Sequence, residues 1–161
     1  MNDYPELSER EKSIIALIRE EIKADRKRGK ESIYKYIDHV RVEDLPEPLS
    51  TIAASKGIEA AIDLAESISG VKIYSPSKGI PSSFPRFKTF SNIIGRELAE
   101  KLYNDARGGF IELPSLKKTL SIARERYVKH RYDEGATVNK ICADTGLSRR
   151  RLFDILKTPD D

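Results

Sequence analysis

Residues 138–157 read VNKICADTGLSRRRLFDILK, and their spacing is that of a helix–turn–helix. Val138, Ile141 and Cys142 put apolar or small side chains on one face of a short helix. Thr145-Gly146-Leu147 makes the break, with Gly146 where the chain needs a positive φ. Ser148 can cap a second helix, whose predicted buried face is Leu152, Phe153, Ile155 and Leu156. Arg149, Arg150 and Arg151 then occupy its first turn, the end that enters the major groove in this motif. Positive charge there opposes the helix dipole, and an anionic partner such as a phosphate would offset the cost. An ordinary helical hairpin with a solvated arginine cluster is the alternative; the placement of glycine and cap argues against it.

Immediately upstream, a long helix is predicted from Ser115 to Asp133, with Ser115 as its cap and Gly135 beyond its end. Leu116, Leu120, Ala123 and Tyr127 form its apolar face, with Val128 and Tyr132 at the margin. Its polar face carries Lys117, Lys118, Arg124, Arg126, Lys129 and Arg131. The three helices make a head over residues 116–161. Between Lys117 and Lys157 there are 11 Lys or Arg and 5 Asp or Glu, a net of +6, against +3 for the whole chain. The remaining residues therefore sum to −3, and the basic charge is gathered where the motif lies.

Further upstream is an internal repeat with an offset of 38 residues: GIEAAIDLAESISGVKIYSPS over 57–77 and GRELAEKLYNDARGGFIELPS over 95–115. Gly57, Glu59, Ala61, Leu64, Gly70, Ile73, Pro76 and Ser77 match Gly95, Glu97, Ala99, Leu102, Gly108, Ile111, Pro114 and Ser115. Each copy reads as an amphipathic helix closed by glycine, then a short strand stopped by proline. Two such strands are too few for a free-standing sheet. They can pair within one chain, or across a two-fold axis so that a homodimer completes the sheet; exposed edges favour the dimer. Between the copies, Ser77–Phe90 reads as an ordered loop anchored by Phe84, Phe87 and Phe90, leaving Arg86 and Lys88 free to touch a DNA backbone.

Leu45-Pro46-Glu47-Pro48 marks a boundary, which gives a helical extension over 1–43 and a repeat-containing domain over 44–115. The extension opens with a capping box, Ser8 to Glu11, and an apolar stripe of Ile14, Ile15, Leu17, Ile18 and Ile22. Gly29, within the basic run Arg26–Lys30, is expected to close that helix, and a second helix to run from Glu31 to His39. The fold class is therefore mainly α with small β: a helical dimerisation domain with short strands, then a three-helix head.

Composition narrows the function. With 39% apolar and 34% charged residues, the chain suits a helical protein with a wide solvated surface. One cysteine excludes a disulfide framework within the chain, and two distant histidines give no metal-site spacing, so neither metal nor cofactor is expected. The sequence holds no apolar run long enough to span a membrane, and the polar start lacks a signal peptide's apolar region; a cytoplasmic protein is expected. A recombinase would need a nucleophilic Ser or Tyr in a separate catalytic domain. Here the serines sit at caps and loops, and Tyr127 and Tyr132 on the head's own helix, so no enzyme is expected. His39 and His130 read as surface or satisfied core groups, and Cys142 as core packing.

Helix–glycine–strand–proline, repeated and joined to a basic helix and a helix–turn–helix, resembles the Mor transcription activator family of transposable phages and prophages. The resembling residues are Gly57–Ala61, Gly70–Pro76, Gly95–Ala99, Gly108–Pro114 and Val138–Leu156, spread from Asp44 to Lys157. The resemblance implies an N-terminal dimerisation domain with a small intersubunit sheet, binding to a promoter as a homodimer, and activation by contact with RNA polymerase in a bacterial or phage-infected cell. It also implies a dimer interface at Lys72, Ile73, Tyr74, Ser75 and Pro76.

Double-stranded DNA is thus the expected partner, read in the groove by Arg149, Arg150, Arg151 and Asp154 beside Ser148. Thr137, Asn139 and Lys140, opening the supporting helix, are expected at phosphates, and Lys129 is a further expected DNA-binding residue. A repressor, a recombination accessory protein and a dimeric interaction module without DNA are the competing readings.

Overall fold

The computed structural model describes residues 8–27, 32–68 and 70–160. It is mostly helical with one two-stranded antiparallel sheet among the described residues, as the sequence indicates. The chain divides into two compact units, Met1–Lys35 and Tyr36–Asp161.

In the first unit α1 spans Glu9–Lys27. Its capping box is formed: the Ser8 N–H donates to Glu11 Oε2 at 2.8 Å and the Glu11 N–H to Ser8 Oγ at 3.3 Å. The apolar stripe is not a buried one. Ile14 and Leu17 are exposed, and Ile15 and Ile18 only half-buried. The Ile22 side chain, the side chains of the Arg26–Lys30 run and the closing Gly29 lie outside the described residues.

The helix expected over Glu31–His39 is instead a tighter 3-10 stretch, Ile33–His39. Tyr36 leaves helical angles there (φ −112°, ψ 18°), which breaks the α pattern and turns its ring inward, fully buried. A second 3-10 turn, Val42–Asp44, follows.

The repeat forms two matching helix pairs: α2 (Leu49–Lys56) with α3 (Ile58–Ile68), and α4 (Phe87–Ile94) with α5 (Arg96–Asp105). The helix α4 takes up the last residues of the segment expected as a loop; Phe84, Phe87 and Phe90 recur every three residues and bury as anticipated, with Arg86 and Lys88 exposed. Each pair bends at a glycine. Gly57 sits at φ +97°, ψ 157° and Gly95 at φ +87°, ψ 157°, angles open essentially to glycine alone. Their N–H groups donate to equivalent carbonyls, Ala53 and Ser91, both at 2.9 Å. An added Cβ at Gly57 would meet nothing within 4 Å, and at Gly95 only the flexible end of Lys56. Gly57→Ala and Gly95→Ala should therefore each cost about 1–3 kcal/mol from backbone strain. Urea denaturation of the two variants checks this, and nearly equal losses are expected.

After each pair comes a short strand, β1 (Ile73–Ser75) and β2 (Gly109–Ile111), and the two pair with each other within the chain. Of the two pairings the sequence leaves open, the strands thus take the intrachain one. The register sets Ile73 opposite Ile111, Tyr74 opposite Phe110 and Ser75 opposite Gly109. Alternation sends Ile73 and Ser75 inward and leaves Tyr74 and Phe110 outward, with ring centroids 5.6 Å apart. Buried Ser75 donates from its hydroxyl to the Tyr103 carbonyl at 2.6 Å.

Candidate nucleic-acid interface

The head is α6 (Lys117–Asp133), α7 (Val138–Thr145) and α8 (Arg149–Lys157). At its start α6 departs slightly from expectation: Leu116 is the cap position, while Ser115 Oγ accepts from the Lys117 N–H at 3.3 Å. Val128, Ile141, Leu152 and Ile155 form the core, with Ala136, Val138, Cys142, Leu147 and Leu156 packed around them. Phe153, expected inside, is 42% exposed. One helical step from Leu152 turns its ring about 100° away from the stripe facing α6.

The turn is built as its residues dictate. Gly146 takes a left-handed φ of +71° and its N–H donates to the Cys142 carbonyl at 2.9 Å. The Thr145 hydroxyl donates to the Ile141 carbonyl at 2.7 Å and accepts from the Leu147 N–H at 3.4 Å. Thr137 and Ser148 cap α7 and α8, accepting from the N–H groups of Lys140 (3.3 Å) and Arg151 (3.2 Å).

These caps fix where the candidate DNA residues stand. Arg149, Arg150 and Arg151 are all exposed on the first turn of α8, and Asp154 is exposed one turn on. Arg149 Nη1 donates to Asn139 Oδ1 at 2.6 Å, so the openings of α7 and α8 meet at the surface. Arg151 Nη2 donates to Glu125 Oε1 of α6 at 3.0 Å, which neutralises one of the three charges. Among the described residues Arg150 has no ion-pair or hydrogen-bond partner, so its guanidinium is the one left open to solvent. Thr137, Asn139, Lys140 and Ser148 lie exposed on the surface formed by the starts of α7 and α8.

Lys129 stands apart from the other candidates. Its Nζ donates to Asp160 Oδ1 at 2.8 Å and to the Pro159 carbonyl at 3.2 Å, and its side chain is 20% exposed. It is tied to the segment after α8 rather than presented beside the first turn. Ile73 and Ser75 are likewise enclosed by their own chain. Pro76 is half-buried, and Tyr74 faces solvent beside Lys72, which lies 3.8 Å from Glu112.

No family model, curated protein or solved structure matches the chain.

Several groups that the sequence did not single out converge on α6. Residues 36–45 form a strap along it. Arg126 makes a two-pronged ion pair with Asp44, with Nη2 to Oδ1 at 2.9 Å, and also donates to the His39 carbonyl at 3.1 Å. Thr119 Oγ1 donates to the Asp44 carbonyl at 2.9 Å. Burial works against the Asp44 carboxylate, but the bonds from Arg126 and from the Arg41 N–H outweigh it and hold its pKa below the ordinary value. Tyr36 packs edge-on against Tyr127, and Tyr127 donates to Asp144 of α7. That bond, with burial second, raises the Tyr127 pKa.

The chain's two histidines meet here too, His39 from the strap and His130 from α6, with ring centroids 5.3 Å apart. Asp38, Arg41, Arg126, Lys129, Asp133 and Asp160 line the same shallow cleft, and Glu134 lies 3.6 Å from His130. Burial, then the neighbouring His130, pushes the His39 pKa below 6.5; Arg126 adds to this, while Asp38 and Glu134 pull the other way. A base with a depressed native pKa contributes stability that is full above the unfolded value and is lost as pH falls through the folded one. Stability should therefore fall as pH drops below 6.5. The Asp44 contribution disappears only at more acid pH, as its carboxylate protonates. Denaturant midpoints across this range should show a slope that His39→Gln flattens; an unchanged slope would exclude His39 as its source. Among the described residues no group of His, Cys, Asp and Glu is placed to hold a metal ion, and no helix is long and apolar enough to cross a membrane.

Proposed function

We propose that the chain is a sequence-specific DNA-binding transcription regulator, similar in plan to the Mor-type activators of phage and prophage promoters. The observation that carries this reading is the capped turn that presents Arg149, Arg150 and Arg151 side by side at the start of α8. Arg150 reads a base edge, since its guanidinium is unengaged and arginine bonds guanine in a bidentate fashion. Arg149 and Asn139, already joined, contact the site as a pair, and Thr137 and Lys140 hold phosphates. RNA polymerase is the proposed further partner for activation, tested by promoter output with and without the protein.

Titrating labelled duplex DNA at two salt concentrations tests the DNA reading, because phosphate contacts release counterions and binding should weaken steeply with salt. Arg150→Ala should then cost about 1–3 kcal/mol on a duplex obtained by selection, and much less on random duplex. Equal losses on both would remove Arg150 from base recognition. One observation favours a second reading, an interaction module without DNA: the outward Tyr74 and Phe110 form an exposed aromatic pair. No binding of any duplex at low salt would favour it.

A further inference from the structure

The offset of the repeat and the register of the sheet coincide. Ile73 pairs antiparallel with Ile111, which is also its counterpart 38 residues on in the repeat. When a residue faces its own equivalent across an antiparallel ladder, a local two-fold axis passes between them. The elements before each strand recur in the same order in both copies. The helices α2 and α4 begin and end at equivalent residues, and Gly70 and Gly108 share a φ of +73°. Several equivalent positions are buried in both copies: Leu49 with Phe87, Ile52 with Phe90, Ala61 with Ala99, and Ser75 with Leu113. The two strands meet as they would across the axis of a two-fold dimer, within one chain.

Among the described residues one recognition helix accompanies this pairing. A homodimeric helix–turn–helix protein presents two such helices, and its operator mirrors that symmetry as an inverted repeat. Here the second copy of the repeat occupies the place of a partner's dimerisation domain, with the head following that copy alone. We infer that one chain binds one asymmetric, non-palindromic duplex site, its second repeat standing in for a partner subunit. This rests on the DNA reading above, and replaces the homodimer expected from the sequence.

Two measurements on the full chain test it. Sedimentation velocity at micromolar concentration should give a single species near 18.2 kDa. Selection from random duplexes should enrich one non-palindromic motif, bound by one chain per duplex in a stoichiometric titration. A doubled mass, or an enriched inverted repeat holding two chains, overturns the inference while leaving DNA binding intact. Failure to enrich any duplex overturns the DNA reading, and this inference with it.

Discussion

Replacing Tyr103 by alanine is expected to destabilise the Tyr36–Asp161 unit by about 3–5 kcal/mol, the range for deleting a buried aromatic side chain. Tyr103 is fully buried, with the rings of Phe84, Phe87 and Phe90 at 5.7, 5.7 and 5.5 Å from its own. Its hydroxyl donates to the Pro85 carbonyl at 2.7 Å, and its carbonyl accepts from Ser75. One side chain thus ties α5 to α4, to the turn before α4 and, through its backbone, to β1. Burial raises the Tyr103 pKa, so the hydroxyl stays a donor across the working range. Tyr103→Phe keeps the packing and strands one carbonyl, and should cost about 1 kcal/mol. Urea denaturation of both variants gives the comparison. Similar losses for Phe and Ala would mean that the hydrogen bond, not the ring cluster, carries the site.

Arg126→Ala should cost about 2–4 kcal/mol, because it leaves a desolvated carboxylate without its cation. The Asp44 side chain is only 6% exposed, and after the change it keeps little beyond the Arg41 N–H. The His39 carbonyl loses its donor as well. The penalty comes from the orphaned charge more than from the value of the pair, so Asp44→Asn combined with Arg126→Met should recover much of it. A thermodynamic cycle of the two single variants and the double variant separates these contributions. A loss below about 1 kcal/mol for Arg126→Ala would place the pair among surface ion pairs of little consequence.

Local chemistry makes the head legible in the sequence. Gly146, Ser148 and the Leu152/Ile155 stripe act within a few residues of themselves, so their spacing carries their structure. Phe153 departs from expectation because apolar identity alone does not convey how narrow the buried stripe is. The segment after Gly29 failed for a different reason: a helical pattern does not distinguish an α from a 3-10 path when a buried side chain, here Tyr36, sets the backbone. The strap on α6 is held by Asp44 to Arg126 and His39 near His130, partners too distant in sequence for any periodicity to join. Lys129 is expected at DNA from its place on the polar face of α6, but its anion, Asp160, lies beyond the motif. The strand partners are a choice that the sequence leaves open. The repeat already contained the two-fold relation, but periodicity predicts strands and not which chain supplies the neighbour.

The intrachain two-fold also changes what a mutation can do. In a homodimer each substitution enters twice, facing itself across the axis, and both halves must tolerate it. Here Leu49, Ile52 and Ala65 of the first copy correspond to Phe87, Phe90 and Tyr103 of the second. The bulky rings have collected on one side of the axis and the small aliphatic groups on the other, an uneven partition that no symmetric pair of identical chains could hold.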